Sequence, residues 1–271
     1  MRYKDYQGPV EDLIRIKLKE IEEKENVRVL HAVESGSRAW GFASLDSDYD
    51  VRFVYIRPLK YYLSLQQKTD FINWELDETL DINGWDMTKA LQHFHKSNAT
   101  LYEWANSPVV YHTTSEWKWV METADQYFSC KSAMYHYYGT ARKNYTEYLT
   151  EDMVKYKKYF YVLRPVLACK WIEKKKCPPP VLFQELVDEV LEPEMYPIVE
   201  SLVQKKVKMA ESEKGNRIDT INDYIVENLL YFKKMTDEMP DNRRLDWESL
   251  NQLFLEMLQI PGTADAGGVK I

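Results

Sequence analysis

The sequence is poor in cysteine, has no long hydrophobic run and carries no excess of positive charge. Only three cysteines occur in 271 residues and none forms a CxxC pair, so neither a disulfide framework nor a zinc site is supported. No segment approaches the roughly 18 consecutive apolar residues of a membrane span, and the first residues lack the apolar core of a secretory signal. We therefore expect a cytoplasmic protein with no membrane partner.

The net charge of -7 argues against broad, non-specific attraction to nucleic acid, which requires a positive field over the phosphates. A local basic groove remains compatible with that charge. Lysines cluster in 155–160 and 173–180, although such runs are more often solvated helix faces than binding sites. The 45% apolar content is sufficient for a sizeable core, and the length favours one large or two small domains.

The hydrophobic pattern changes character along the chain. Apolar residues at helical spacing predict a helix over 10–24, and strand patterns follow in "NVRVLHAVESGS" (26–37), "YDVRFVYIRP" (49–58) and "ETLDINGW" (78–85). From Ser115 onward the apolar residues recur at three and four, and the prolines of "CPPPVLF" (177–183) separate two helices. We predict an α+β fold with an α/β domain over 1–112 and an all-helical domain over 113–271.

Two acidic residues stand at the start of the second strand, in the segment "SGSRAWGFASLDSDYDVRFVYI" (35–56). Alternation places Asp48, Asp50 and Arg52 on one face of the strand, and the apolar side chains on the other face. Adjacent carboxylates repel unless a cation lies between them, and Mg²⁺ prefers such oxygen ligands. From this pair alone, a metal site and a solvent-facing strand start are equally compatible.

The residues upstream favour the metal site. Gly36 lets the backbone approach an anion closely, the Ser37 hydroxyl can donate to phosphate oxygens, and Arg38 adds a charged fork. Ten residues then separate this Gly-Ser pair from Asp48. A Gly-Ser pair alone is a weak signal, but the same pair at a fixed distance from Asp-x-Asp is considerably stronger.

This combination resembles the signature of the DNA polymerase β-like nucleotidyltransferase superfamily. The wider text, with "LDINGWDMTKAL", "KSNATLYEWANSPVVY" and "YFYVLRPVLACKWIEKKKCPPPVLF", looks like its RNA-ligase-associated, YcgL-like group of predicted nucleotidyltransferases. The resemblance covers most of residues 30 to 185. It implies a minimal palm-like α/β domain with a mixed sheet that holds two Mg²⁺ ions, or Mn²⁺ in their place, and an NTP, followed by a helical domain that helps to hold substrate.

The resemblance also implies the chemistry and a third carboxylate. Two metal ions would let an acceptor hydroxyl displace pyrophosphate from the NTP, with an RNA end as one candidate acceptor. A third acid is expected from a neighbouring strand, and Asp81 and Asp86 are the candidates. We favour Asp81, because Leu80 and Ile82 need the core and Asp81 must then face the other way, whereas Asp86 is well placed as a helix N-cap.

Other polar and aromatic residues carry weaker predictions. Lys89 and Arg164 are assigned to nucleotide binding, Arg164 because a charge in an apolar helix calls for a phosphate or carboxylate partner. Trp40 and Trp85 either stack on a base or pack as walls. His93 and His95 stand two apart and cannot share one helix face, so no paired metal site is expected there.

Two other functions compete with the metal-dependent nucleotidyltransferase. One is a catalytically silent nucleotide-binding or regulatory module, which the intact Gly-Ser and Asp-x-Asp motifs disfavour. The other is a protein-modifying, antitoxin-like nucleotidyltransferase, which the long helical region disfavours.

Overall fold

The computed structural model describes residues 3–43, 47–66, 68–77, 79–208 and 214–259 of the chain. Five strands form the main sheet: β1 (Arg28–Ser35), β2 (Tyr49–Ile56), β3 (Phe71–Asp77), β4 (Leu80–Asp86) and β5 (Val110–Thr113). Their order is β3-β4-β2-β1-β5. β2 and β4 run parallel and the other neighbouring pairs are antiparallel, so the sheet is mixed, as predicted.

Helices account for most of the remaining described chain. They are α1 (Val10–Glu25), α2 (Leu59–Tyr62), α3 (Met87–His95), α4 (Ala99–Ala105), α5 (Trp117–Ala124), α6 (Cys130–Tyr148), α7 (Lys157–Lys175), α8 (Phe183–Val190), α9 (Tyr196–Lys208), α10 (Asp219–Glu238) and α11 (Glu248–Leu258). The predicted helix over 10–24 is confirmed as α1, which ends where Asn26 takes a left-handed conformation with φ of 50°.

The main sheet is covered on both faces, which explains why most residues of β1 and β2 are buried. On one face, α1 packs its apolar stripe against alternate residues of β2 and β4, among them Val51, Phe53 and Ile82. On the other face, Val54 and Ile56 pack with α3, α4 and α5. The α+β architecture and the alternation predicted for the second strand are therefore confirmed.

Helices α6 to α10 form a second hydrophobic core beside the sheet. α6 and α7 are its central pair, and their small and aliphatic side chains, such as Ala133, Ala141 and Leu167, are fully buried. The three consecutive prolines of 178–180 lie between the end of α7 and the start of α8. The predicted break at these prolines is therefore confirmed, because consecutive prolines cannot continue a helix.

The second half of the chain is not all-helical, contrary to the prediction. Met153–Lys155 (β6) and Lys214–Asn216 (β7) pair as a two-stranded antiparallel ribbon. Each of these strands has three residues, too few for an alternating pattern to stand out from the helical spacing around it. β6 directly precedes α7 and β7 directly precedes α10, so the ribbon joins the segments that lead into these two helices.

The last described helix returns to the first half of the molecule. α11 packs Leu250, Leu253 and Met257 into the same core as α3 and α5, beneath the main sheet. The core beside the sheet thus includes residues from beyond position 113. The division into domains 1–112 and 113–271 stays a prediction. Within the described chain, no helix combines the length and apolar character that a membrane crossing requires.

Candidate active site

Two carboxylates lie side by side on the two parallel strands at the centre of the sheet. Asp50, the second residue of β2, is the register partner of Asp81, the second residue of β4. Their chain neighbours Val51 and Ile82 are fully buried on the α1 face, so alternation turns both aspartates to the opposite face. The predicted orientation of Asp81 follows from the same packing, because Leu80 and Ile82 are both fully buried.

The guanidinium of Arg52 lies between these two carboxylates. One of its terminal nitrogens donates to Asp50 Oδ1 at 3.0 Å and to Asp81 Oδ2 at 2.8 Å. Burial raises the pKa of the Asp50 carboxyl, the neighbouring charges of Asp81 and Asp48 raise it further, and Arg52 opposes them. The pair of acids is therefore a place where a positive charge is stabilising.

Gly36 provides the close approach to Asp50 that no other residue type would allow. It follows the end of β1 and has φ of +72°, a backbone conformation that residues other than glycine rarely adopt. A Cβ placed on Gly36 would lie 2.7 Å from Asp50 Oδ2. Within the ranges that the structure covers, no hydrogen bond is made by the hydroxyl of the next residue, Ser37. A Gly-Ser turn thus borders the carboxylate pair.

Arg38 fixes the chain just before β2. Its Nε donates to the carbonyl of Asp48 at 3.0 Å and a terminal nitrogen donates to the carbonyl of Ser47 at 2.6 Å. Its guanidinium also lies 3.7 Å from the ring centroid of Tyr49. Asp48 itself is exposed, directly before the first residue of β2. The Gly-Ser-Arg turn and the Asp-x-Asp segment therefore meet in space.

A buried glutamate lies beneath Asp50. Glu34 of β1 is fully buried, and its Oε1 accepts the backbone N–H of Asp50 at 2.8 Å while its Oε2 accepts the hydroxyl of Tyr111. Burial raises the pKa of Glu34 to about 7, and the two hydrogen bonds oppose that rise. Glu34 thereby ties the backbone of Asp50 to β1 and β5.

The opposite end of β4 holds two of the predicted residues. Asp86 ends the strand, is buried, and accepts the N–H of Thr88 at 2.8 Å, so its predicted role as the N-cap of α3 is confirmed. Lys89, one turn further, pairs with Asp70 at 2.8 Å. Asp86 lies five residue steps along the strand from Asp81, about 16 Å. Lys89 therefore lies at the far end of the strand from the carboxylate pair, and its predicted contact with the triphosphate stays a prediction.

Arg164 and Trp40 lie close together beside the Gly-Ser turn, apart from the carboxylate pair. Arg164 is buried in α7 and its guanidinium pairs with the carboxylate of Glu103 at 2.8 Å, the carboxylate partner that its position in an apolar helix predicted. The same guanidinium lies 5.0 Å from the ring centroid of Trp40. The backbone N–H of Trp40 donates to the Gly36 carbonyl at 3.0 Å. Trp40 therefore connects Arg164 to the turn at the site.

The remaining aromatic and histidine candidates pack as walls. Trp85 stacks on His93 at 4.7 Å and contacts Trp104 at 4.3 Å between ring centroids, in the core between α3 and α4. His95 stacks on Trp247 at 3.7 Å. The two histidines have different partners on different sides of α3, in agreement with the prediction that they form no paired site.

Sequence analysis missed three contributors to this region. Arg52 was placed on the face of the two acids but given no role, although an arginine two residues after Asp50 was a usable signal. Glu34 was also detectable, as an acid in an otherwise apolar strand. Glu103 gave no signal, because it meets Arg164 across 61 residues of chain.

The chain is similar to one protein family and to individual known proteins. The profile of RlaP, the RNA repair pathway DNA polymerase beta family, matches residues 10–256. The uncharacterized protein YcgL of Bacillus subtilis is 42% identical over 246 residues, which cover 89% of this chain and 94% of that protein. A crystal structure of a nucleotidyltransferase-like protein from Exiguobacterium sibiricum aligns over 92% of this chain and 79% of its own, with a TM-score of 0.29 and 13% identity. The chain belongs to the RlaP family of DNA polymerase β-like proteins.

Proposed function

We propose that the protein is a metal-dependent nucleotidyltransferase that transfers a nucleoside monophosphate from an NTP to an acceptor hydroxyl. The observation that carries this proposal is the pairing of Asp50 with Asp81 on parallel strands, with the Gly36 turn in contact with Asp50. Carboxylates beside a Gly-Ser turn bring a cation site next to a phosphate site. That juxtaposition is what transfer of a phosphoryl group requires.

The donor set fits a divalent cation. Asp50 and Asp81 present hard oxygen ligands and already share one cationic group, the guanidinium of Arg52. Mg²⁺ commonly binds one or two carboxylates together with substrate phosphates. Over the described ranges, no three His, Cys, Asp or Glu side chains gather into a metal-binding group, so the proposal assigns the first ligands to this pair and adds Asp48 beside it. Bound Mg²⁺ or Mn²⁺ would neutralise the triphosphate and the developing charge on the leaving group.

The protein's own residues bind and position the substrate in this proposal. The Ser37 hydroxyl donates to a phosphate oxygen, and Gly36 lets the backbone lie close to that phosphate. Arg38 anchors the segment that carries Asp48 and Asp50 through the two backbone carbonyls before β2. Glu34 holds the backbone N–H of Asp50, which fixes the direction of its side chain.

The proposed reaction requires no reactant other than the NTP and the acceptor hydroxyl. A bond forms between the acceptor oxygen and the α-phosphorus, and the bond from that phosphorus to the bridging oxygen of the β-phosphate breaks. Pyrophosphate leaves and the hydroxyl proton passes to solvent. The family description, an RNA repair pathway, supports an RNA end as the acceptor that we propose.

The test compares the two acids at opposite ends of β4. Asp81→Asn removes a charge from the proposed site. The matched change Asp86→Asn lies at the far end of the strand, where asparagine can also cap α3 and only the contact with the Tyr62 hydroxyl is altered besides. Both variants are incubated with each labelled NTP, Mg²⁺ or Mn²⁺, and RNA, protein and small-molecule acceptors. We expect Asp81→Asn to eliminate transfer and Asp86→Asn to retain it. The opposite pattern would overturn the assignment of the site to Asp50 and Asp81, because Asp86 lies at the far end of β4. Wild-type protein that transfers nothing to any acceptor would favour the silent module.

A further inference from the structure

A small cavity opens between the turn after Gly36 and the helices α4, α6 and α7. Its volume is about 250 Å³, which suits one ring-sized group rather than a whole drug-sized ligand. Its walls are mostly aromatic and polar side chains, among them Trp40, Glu103, Tyr137, Thr140, Tyr161 and Arg164. The cavity therefore combines flat apolar surfaces with a few polar groups.

Arg164 brings an unsatisfied donor to this cavity. Its side chain is only 4% exposed; Nε donates to the carbonyl of Val181 at 3.2 Å and one terminal nitrogen donates to Glu103 at 2.8 Å. The second terminal nitrogen is buried and has no hydrogen-bond partner in the described chain. A buried donor without a partner is unfavourable, so an acceptor atom on a ligand would be bound there.

The aromatic walls select a flat ligand. Trp40 is half-buried and meets the ring of Tyr161 edge to face, with centroids 5.6 Å apart. The guanidinium of Arg164 lies over the Trp40 ring at 5.0 Å. Flat heteroaromatic rings bind such surfaces by stacking with little dependence on their identity.

The charge of the cavity disfavours an anion. Glu103 pairs with Arg164 at 2.8 Å, so the two charges compensate each other, and Glu103 would repel a phosphate or carboxylate. Glu103 Oε1 accepts both of the hydrogen bonds that the carboxylate receives from described residues, from Tyr137 and from Arg164. Its Oε2 can therefore accept from a ligand. A nucleobase offers an acceptor and a donor on one edge, which matches Arg164 and Glu103 together.

We propose that this cavity binds the base of the NTP, with Trp40 as the stacking surface and Arg164 and Glu103 as its polar contacts. The inference rests on the proposed nucleotidyltransferase function and adds the subsite that recognises the nucleoside. Trp40 lies in the same turn as Gly36, four residues further on, and its backbone N–H donates to the Gly36 carbonyl at 3.0 Å. A base in the cavity would thus adjoin phosphates at the Gly-Ser turn.

The experiment separates base binding from phosphate binding. Calorimetry with Mg²⁺ measures the affinity of the full chain for each NTP and for inorganic triphosphate, which has no base. Two variants target the cavity: Trp40→Leu removes the stacking surface, and Thr140→Leu adds volume from α6 into the space. Trp119→Leu, at an exposed tryptophan of α5, is the matched control. Arg164 is left intact, because its loss would strand the charge of Glu103 in the core.

We expect Trp40→Leu and Thr140→Leu to weaken NTP binding about tenfold while the affinity for inorganic triphosphate changes less than twofold. Circular dichroism and thermal unfolding confirm that both variants are folded. NTP affinities equal to those of the wild type in both variants would overturn the base subsite, and so would wild-type protein that binds inorganic triphosphate as tightly as every NTP. Both of these results would leave the proposed function standing, whereas wild-type protein that binds no NTP would overturn both proposals.

Discussion

Replacement of Glu34 by glutamine tests the buried support beneath Asp50. Glutamine has the shape of glutamic acid, its Oε1 can accept the N–H of Asp50, and its amide can donate to the Tyr111 oxygen. The change therefore keeps the hydrogen bonds of the protonated side chain and removes only the ability to carry a charge. Glu34 is fully buried, so solvent does not screen that charge.

The magnitude follows from the pKa of Glu34, which burial raises from its ordinary 4.5 to about 7. A raised pKa of an acid means that folding favours the protonated form. The contribution to stability is then complete below pH 4.5 and is lost as pH rises through 7, by about 3 kcal/mol at 1.36 kcal/mol per pH unit. Glutamine cannot lose a proton, so Glu34→Gln is not subject to this loss.

Urea unfolding of the metal-free protein at pH 5 and pH 8 measures the effect. We expect the free energy of unfolding of the wild type, relative to Glu34→Gln, to fall by about 2–3 kcal/mol between these pH values. The same substitution at Glu200, an exposed residue of α9, serves as the control and should leave the difference between pH values unchanged. If the free energies of unfolding of the wild type and of Glu34→Gln differ by the same amount at both pH values, then burial does not hold Glu34 protonated.

Four further changes probe the turn, the middle of α6 and the far end of the sheet. Gly36→Ala should lower the free energy of unfolding by about 1–2 kcal/mol, because its φ is +72° and a Cβ would lie 2.7 Å from a carboxylate oxygen. Gly139→Ala, in the middle of α6 with open space around the new Cβ, should instead stabilise by up to about 1 kcal/mol; urea unfolding that shows equal effects at both glycines would contradict this. Ser37→Ala should reduce the rise in thermal midpoint that an NTP produces and leave the midpoint of the ligand-free protein unchanged, and an undiminished rise would remove the hydroxyl from the phosphate site. Lys89→Ala should cost less than about 1 kcal/mol, because its pair with Asp70 is partly exposed, and it should leave NTP affinity unchanged; weaker NTP binding would return Lys89 to the site.

The sequence predicted the central residues of the site, because the alternation of side chains along a strand depends only on neighbouring residues. Alternation along β2 predicted that Val51 and Phe53 face the core while Asp50 and Arg52 face away, and the structure has this arrangement. The Gly-Ser pair at a fixed distance from Asp-x-Asp favoured a joint site, and in the structure Gly36 does lie against Asp50.

Long-range pairing limited the remaining predictions. The position of Asp81 beside Asp50 depends on β4 pairing in parallel with β2, and that same pairing takes α3 and Lys89 to the opposite end. β3 and β5 were not predicted because they are edge strands, one of them only four residues long, whose side chains alternate weakly. In β1 a register shift between Val29 and His31 interrupts the alternation that the sequence suggested.

The catalytic proposal is tested most directly by pyrophosphate release. Wild-type protein and the double variant Asp48→Asn with Asp50→Asn are incubated with labelled NTP, Mg²⁺ or Mn²⁺, and an acceptor identified by screening. We expect the wild type to release one pyrophosphate for each labelled monophosphate that joins the acceptor, and the folded double variant to release none. Pyrophosphate release by the double variant at the wild-type rate would contradict the account.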